Sequence, residues 1–140
     1  MAIKIHPGLG AIVICDFTGL NEPEMTKRRL AVIVTPFMRM RPMLCTVVPL
    51  STTAPLPQRD YNCALQVDPP LPEPYDSPLQ WVKGDMVYTV SLDRISLPFN
   101  GKLENGKRVY DVRTLTQDEM TRVRRCMLFG LGMPHLTSHL

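Results

Sequence analysis

Apolar residues recur along this chain in short blocks, separated by glycine, proline and charged positions. Gly10 to Phe17 (GAIVICDF) is rich in β-branched residues and follows a Pro7-Gly8 turn signal, which predicts a strand. Leu30 to Thr35 (LAVIVT) is apolar at successive positions, the pattern of a strand buried on both faces. Leu44 to Leu50 (LCTVVPL) predicts a third strand. Tyr61 to Val67 alternates, with Tyr61, Cys63, Leu65 and Val67 on one face and Asn62, Ala64 and Gln66 on the other, so it predicts a half-buried strand. Asp85 to Leu92 (DMVYTVSL) predicts a fifth. Asn100-Gly101 and Asn105-Gly106 mark turns, because Asn and Gly tolerate positive φ. Arg108 to Val112 (RVYDV) returns as a sixth strand.

Two segments depart from this rhythm. Pro55 to Pro78 holds seven prolines in 24 residues. Proline cannot join a sheet interior, so a long extended loop is expected, an insertion at about 55–80. Leu115 to Leu131 has helical spacing instead: Met120, Val123, Met127 and Leu131 share a stripe. Thr116 and Glu119 fit a capping box, Asp118 and Arg122 sit four apart for an ion pair, and Gly130 or Gly132 would stop the helix. Short strands and one late helix predict a mainly β fold, a compact twisted antiparallel barrel with a C-terminal α-helix.

Length and composition leave that picture intact. At 140 residues, the chain is read as a single domain, 1–140. No apolar run exceeds five residues, far from the roughly 20 of a membrane-spanning helix, and no signal segment is expected at the N-terminus. The four cysteines show no C-x-x-C pairing and no histidine at metal-ligand spacing. A reduced, cytoplasmic setting without a structural metal is therefore expected. Of the histidines, His6 precedes the first strand, and His135 and His139 fall near a terminus expected to be loose.

Charge is distributed unevenly. Between Met25 and Arg59 there are six basic residues and no acid, while Asp60 to Gln80 holds four acids and no base. Gly101 to Arg125 adds seven bases against four acids. Two basic regions could build one face that attracts phosphates; the alternative is a solvated surface. No P-loop, dinucleotide fingerprint, nucleophile elbow or paired-histidine motif is present. The chemistry-bearing stretch is Glu22 to Leu30, with Glu24, Lys27, Arg28 and Arg29 between two strands; Ser51, Thr52 and Thr53 follow at a later strand end. Carboxylate, guanidinium and hydroxyl groups at strand–loop junctions form a phosphate-handling set.

These blocks, in this order, resemble the PemK/MazF toxins. Gly10-x-Ile12 to Asp16-Phe17 comes first, then Glu24-x-x-x-x-Arg29 running into Ala31 to Val34. Val48-Pro49-Leu50-Ser51-Thr52 follows, and then Gly84 to Val90 with Asp93-Arg94-Ile95. The resemblance spans about residues 6 to 131. It implies an SH3-like barrel, a homodimer, a cognate antitoxin and a sequence-specific, metal-independent endoribonuclease acting on single-stranded RNA, with no cofactor. Carried onto this chain, its catalytic glutamate falls on Glu24, its arginine on Arg29, its threonine on Ser51 and the next hydroxyl on Thr52. Lys27, Arg28, Thr53, Arg94 and Trp81 are the expected RNA-contacting residues. Arg94 could equally pair with Asp93 or Asp85, and Trp81 or Tyr88 could stack on a base. The chain departs from the family in having Leu30 where proline usually follows the arginine, and Ser51 in place of threonine. Two alternatives remain at this stage: a gyrase poison on the same fold, and a regulator that binds RNA without cutting it.

Overall fold

The computed structural model describes residues 3–140. Strands β1 (Ile12–Asp16), β2 (Arg28–Ile33) and β3 (Leu44–Ser51) lie side by side, each antiparallel to the next. They are apolar at successive positions because both of their faces are covered. Ile12, Ile14, Leu30, Val32, Val48 and Leu50 enter one core. Val13, Cys15, Ala31, Ile33, Cys45 and Val47 enter the other. Side chains alternate along a strand, so a one-residue slip would exchange the two sets. Each fully buried large aliphatic contributes roughly 1.5–3 kcal/mol.

The second edge of β3 changes partner partway. Leu44 to Val47 pairs with β6 (Tyr88–Ser91), and Leu50 and Ser51 pair with β5 (Leu79–Lys83). Pro49 falls between these two pairings, opposite Ala31 of β2. A residue without an N–H is tolerated there, because no strand pairs with it on the far side. β6 passes through a 3-10 turn (Leu92–Arg94) into β7 (Ile95–Ser96), which pairs with β1. Strands β3, β2, β1, β7 and β6 therefore circle one core, with Phe17, Val90, Leu92 and Ile95 inside it. The circuit closes through the turn rather than through a β6–β7 ladder.

The second core lies outside this ring. β4 (Asn62–Gln66) pairs with β5, and the helix α1 (Gln117–Gly130) packs with them over Leu65, Val82, Met120, Val123 and Cys126. The mainly β architecture with a C-terminal helix is thus observed. The capping box is also present. Thr116 Oγ1 accepts from the Glu119 N–H at 3.2 Å, and Glu119 Oε1 accepts from the Thr116 N–H at 2.9 Å.

Several expectations need correction. Helix α1 buries Met120, Val123 and Cys126, and it ends at Gly130, so Leu131 caps it and is 53% exposed. Arg122 does not pair with Asp118; its Nη1 donates to the Ala64 carbonyl at 2.7 Å, tying helix to strand. The residues after the helix are not loose, since Pro134–His139 forms a 3-10 helix. β5 was not foreseen, and β4 divides the proline-rich stretch into two loops. Asn105-Gly106 does turn the hairpin of β8 (Phe99–Lys102) and β9 (Arg108–Tyr110), with Gly106 at φ 82°. Asn100-Gly101 instead lies inside β8, where Gly101 at φ 106° accompanies a shift of register.

The four cysteines are free thiols. Burial pushes the Cys15 thiol up to about 12 and the Cys45 thiol up to about 11, so both are small core hydrophobes in practice. Among the described residues, no helix is long and apolar enough to cross a membrane.

Candidate active site

A cleft of about 150 Å³ opens where β2 begins and β3 ends. Arg29 and Leu30 of β2, Leu50 of β3 and Thr52 just beyond it form one side. Gln80 of β5 and Pro74 and Tyr75 of the second proline-rich loop form the other. Leu50 and Thr52 both reach the cleft because they are two apart on an extended chain. Ser51, between them, is buried, and its Oγ accepts from the Thr53 N–H at 3.1 Å. That bond turns the chain at the strand end and leaves Thr52 as the hydroxyl in the cleft.

Arg29 is half-buried, and its Nε is fully enclosed with no hydrogen-bond partner among the described residues. An unmet buried donor costs about 1–3 kcal/mol, more when charged. A guanidinium offers five N–H donors in a planar fork and keeps its charge near neutral pH. Arg29 lines the cleft, where the remaining donors of its fork suit an incoming oxyanion.

The proline-rich wall is anchored at several points. The Val67 N–H donates to the Pro78 carbonyl at 2.8 Å and closes the loop; Leu71 is buried beneath it. The Tyr75 N–H donates to the Pro72 carbonyl at 2.9 Å, and Gln80 Nε2 donates to the Ser77 carbonyl at 3.1 Å. The Arg113 guanidinium donates to the Pro69 carbonyl and, at 2.9 Å, to the Asp111 carboxylate. Prolines restrict the chain before folding as well, which lowers the entropic cost of this wall.

The β1–β2 loop carries the remaining charged candidates and is held from three sides. Asp16 accepts from the Thr18 hydroxyl at 2.7 Å and from its N–H at 3.0 Å. Those two bonds, with the Arg28 guanidinium 3.6 Å away, keep the Asp16 carboxyl below the usual carboxylate range. Arg94 Nη1 donates to the Asp16 carbonyl at 2.8 Å and to the Thr18 carbonyl at 2.9 Å. Tyr88 receives the Met25 N–H on its hydroxyl at 3.0 Å, and its ring packs on Phe17 at 5.0 Å.

The structure therefore brings together Arg29 and Thr52 but not the whole expected set. Glu24 and Lys27 are exposed on the β1–β2 loop and do not line the cleft; the Glu24 N–H donates to the Asn21 carbonyl at 2.8 Å. Thr53 is exposed, with its N–H tied to Ser51. Trp81 is half-buried beside Ser51 and Ala64, one position along β5 from Gln80 and so on the other face. Arg94 pairs with neither Asp93 nor Asp85 and instead fastens the loop. Tyr88 does the same through its hydroxyl, and its ring packs on Phe17. Arg28 lines a second cleft next to the first. His6 packs edge-on to Phe37, and its Nδ1 accepts from the Gly8 N–H at 3.0 Å. Burial lowers its pKa, and it does not line the cleft.

Gln80 and Tyr75 were not singled out from the sequence. Gln80 is a polar residue in an otherwise buried position of β5, and only the strand's register would have revealed that. Tyr75 looked like one more residue of a proline-rich loop.

The small antiparallel barrel thus carries Arg29 and Thr52 in one cleft at the end of its strands. The chain belongs to the PemK-like, MazF-like toxins of type II toxin-antitoxin systems, whose family model matches residues 9–128. No curated protein sequence matches it. Among solved structures, it is similar to MazF from Deinococcus radiodurans, with 17% identity, a TM-score of 0.62, and coverage of 94% of this chain and 100% of that one. It is also similar to an endoribonuclease from a Mycobacterial species, at 18% identity and a TM-score of 0.57, covering 94% of this chain and 98% of that one. A Mycobacterial endoribonuclease in complex with its cognate antitoxin matches at 18% identity and a TM-score of 0.54, covering 91% of this chain and 95% of that one.

Proposed function

We propose that the protein is a toxin endoribonuclease that cuts single-stranded RNA at specific sequences, without a metal ion, using the substrate's own 2′-hydroxyl. The observation that carries this reading is the cleft that Arg29 and Thr52 line together where β2 begins and β3 ends. In this scheme the 2′-oxygen bonds to phosphorus while the bond to the 5′-oxygen breaks. The 2′-proton goes to a base, and the departing 5′-oxygen gains a proton. The products are a 2′,3′-cyclic phosphate and a 5′-hydroxyl end.

Arg29 stabilises the charge that builds on the non-bridging oxygens, a role that demands a fixed donor rather than a proton. Thr52 donates to the same phosphate, with Ser51 shaping the turn behind it. Glu24 is the base. It is exposed on the β1–β2 loop, open to a substrate that lies over that loop. Cleavage by purified protein in excess EDTA tests the scheme. Glu24→Ala is expected to lower the rate by about a hundredfold or more with the circular dichroism unchanged. Unchanged cleavage would remove Glu24 from the mechanism.

Arg94 is a positioning residue in this account, because its two bonds hold the loop that carries Glu24. Arg94→Met is expected to lower kcat about tenfold while KM moves little, since the loop is misplaced but the phosphate grip stays. A rise in KM with kcat unchanged would mean that Arg94 contacts RNA instead.

The protein is further proposed to act in the cytoplasm as a homodimer held in check by an antitoxin. The β2–β3 loop exposes Phe37, Met40 and Met43, an apolar surface that supports a protein contact.

A further inference from the structure

The second cleft has no assigned role. It is about 470 Å³, within the range of roughly 300–1,000 Å³ typical of ligand sites. Pro74 and Tyr75 wall both clefts, so the two are adjacent. Its far side is the β8–β9 hairpin, which stands apart from the main sheet.

Two features mark this cleft as a site for an anion with aromatic bases. The first is charge. Lys102 and Arg108 are cross-strand partners in the hairpin, and both line the cleft together with Arg28. Like charges placed directly opposite destabilise a hairpin. Among the described residues neither Lys102 nor Arg108 forms an ion pair, and Glu73 is the one acid in the lining. The repulsion would be relieved by a polyanion. The second feature is aromatic surface. Phe99 and Tyr110 face one another with ring centroids 5.9 Å apart, Arg108 lies 5.7 Å over the Phe99 ring, and Tyr75 stands on the opposite wall. Phe99 is 44% exposed, so part of its surface stays open beside Tyr110 and Arg108. Stacking on aromatic rings and guanidinium planes is how proteins hold unpaired bases.

We infer that the β8–β9 hairpin and Tyr75 form an auxiliary subsite for nucleotides of single-stranded RNA that flank the cut, with bases on Phe99 and Tyr110 and phosphates on Lys102 and Arg108. The inference rests on the endoribonuclease reading and extends it. A long substrate gains affinity from this subsite, and a short one does not reach it.

The test compares two RNAs that share one cut site, mapped first on a long transcript. One holds only the cut and its immediate neighbours; the other is extended by several nucleotides at both ends. Lys102→Gln/Arg108→Gln is expected to raise KM for the long RNA about tenfold, towards that of the short one, with kcat unchanged. The short RNA is expected to be cut as by wild type. The slope of log KM against log salt should fall by about 0.7 per cation removed, a change that a loss of hairpin structure alone does not predict. Phe99→Leu, which keeps the apolar bulk, is expected to raise KM for the long RNA while leaving the salt slope intact. Wild-type kinetics on the long RNA for both variants would overturn the subsite and leave the endoribonuclease reading standing. An equal loss on both RNAs would overturn it as well. A wild-type protein that cuts no RNA would overturn both.

Discussion

Arg29→Lys is expected to cut RNA at least about a hundredfold more slowly than the wild type in single-turnover assays, the order of loss seen when a preorganised oxyanion donor is removed. Lysine keeps the charge but not the fork. An ammonium at the end of a flexible stem cannot present paired planar donors to two phosphate oxygens. Arg29→Met is expected to be at least as inactive and, at the same time, no less stable than the wild type. The enclosed Nε has no partner in the free protein, so removing it relieves a cost of about 1–3 kcal/mol that offsets the lost packing. Activity is therefore lost at this position without a loss of stability. An Arg29→Met protein that unfolds readily would show that the guanidinium serves the fold. A lysine variant with wild-type rates would show that charge alone suffices.

Gly84→Val is expected to cost about 3 kcal/mol of folding stability, the upper part of the usual range for overpacking. A Cβ at Gly84 would stand 2.5 Å from the backbone carbonyl carbon of Cys126 in α1. At Gly130 a Cβ would stand 2.5 Å from the Gly84 carbonyl oxygen and 2.6 Å from the Asp85 Cα. These are backbone atoms on both sides, and they cannot swing away as a side-chain tip can. The two glycines serve one contact, so helix α1 sits directly on the turn between β5 and β6. Once one substitution has lifted the helix, the second should add little, and the double variant Gly84→Ala/Gly130→Ala is expected to be less destabilised than the sum of the singles. Urea unfolding reads this as a lower midpoint with the slope preserved. An unchanged midpoint for Gly84→Val would contradict the close approach.

Much of this architecture is written in local patterns. Leu30 to Val34 is continuously apolar because β2 separates two cores, and Thr116 with Glu119 announces the helix start through short-range bonds. What escaped is set by tertiary contact. β5 follows directly on a proline and carries Gln80 in a buried position, so its pattern does not read as a strand. Arg122 had a partner at the right helical spacing, but the Ala64 carbonyl on β4 took its guanidinium. Asn100-Gly101 has turn chemistry, yet glycine's positive φ served a bulge within β8.

The candidate site was legible in the same uneven way. Arg29 and Thr52 were named from the family resemblance and meet in the cleft. Ser51 is one residue away and faces behind the turn, a difference that depends on the register of a strand end. The roles of Arg94 and Tyr88 as loop fasteners depend on bonds that span more than sixty positions of sequence, 63 for Tyr88 to Met25 and 76 for Arg94 to Thr18. No local motif encodes those. The same holds for the second cleft, whose walls come from β2, a proline-rich loop and a distant hairpin.

The proposed reaction breaks RNA through the 2′-hydroxyl without a metal. It is tested most directly by cutting two RNAs of one sequence in excess EDTA, one of them carrying a single 2′-deoxy substitution at the cut. The unmodified RNA is expected to yield a 2′,3′-cyclic phosphate and a 5′-hydroxyl end, and the substituted RNA to stay intact at that position. Cleavage of the substituted RNA, or 5′-phosphate ends, would contradict it.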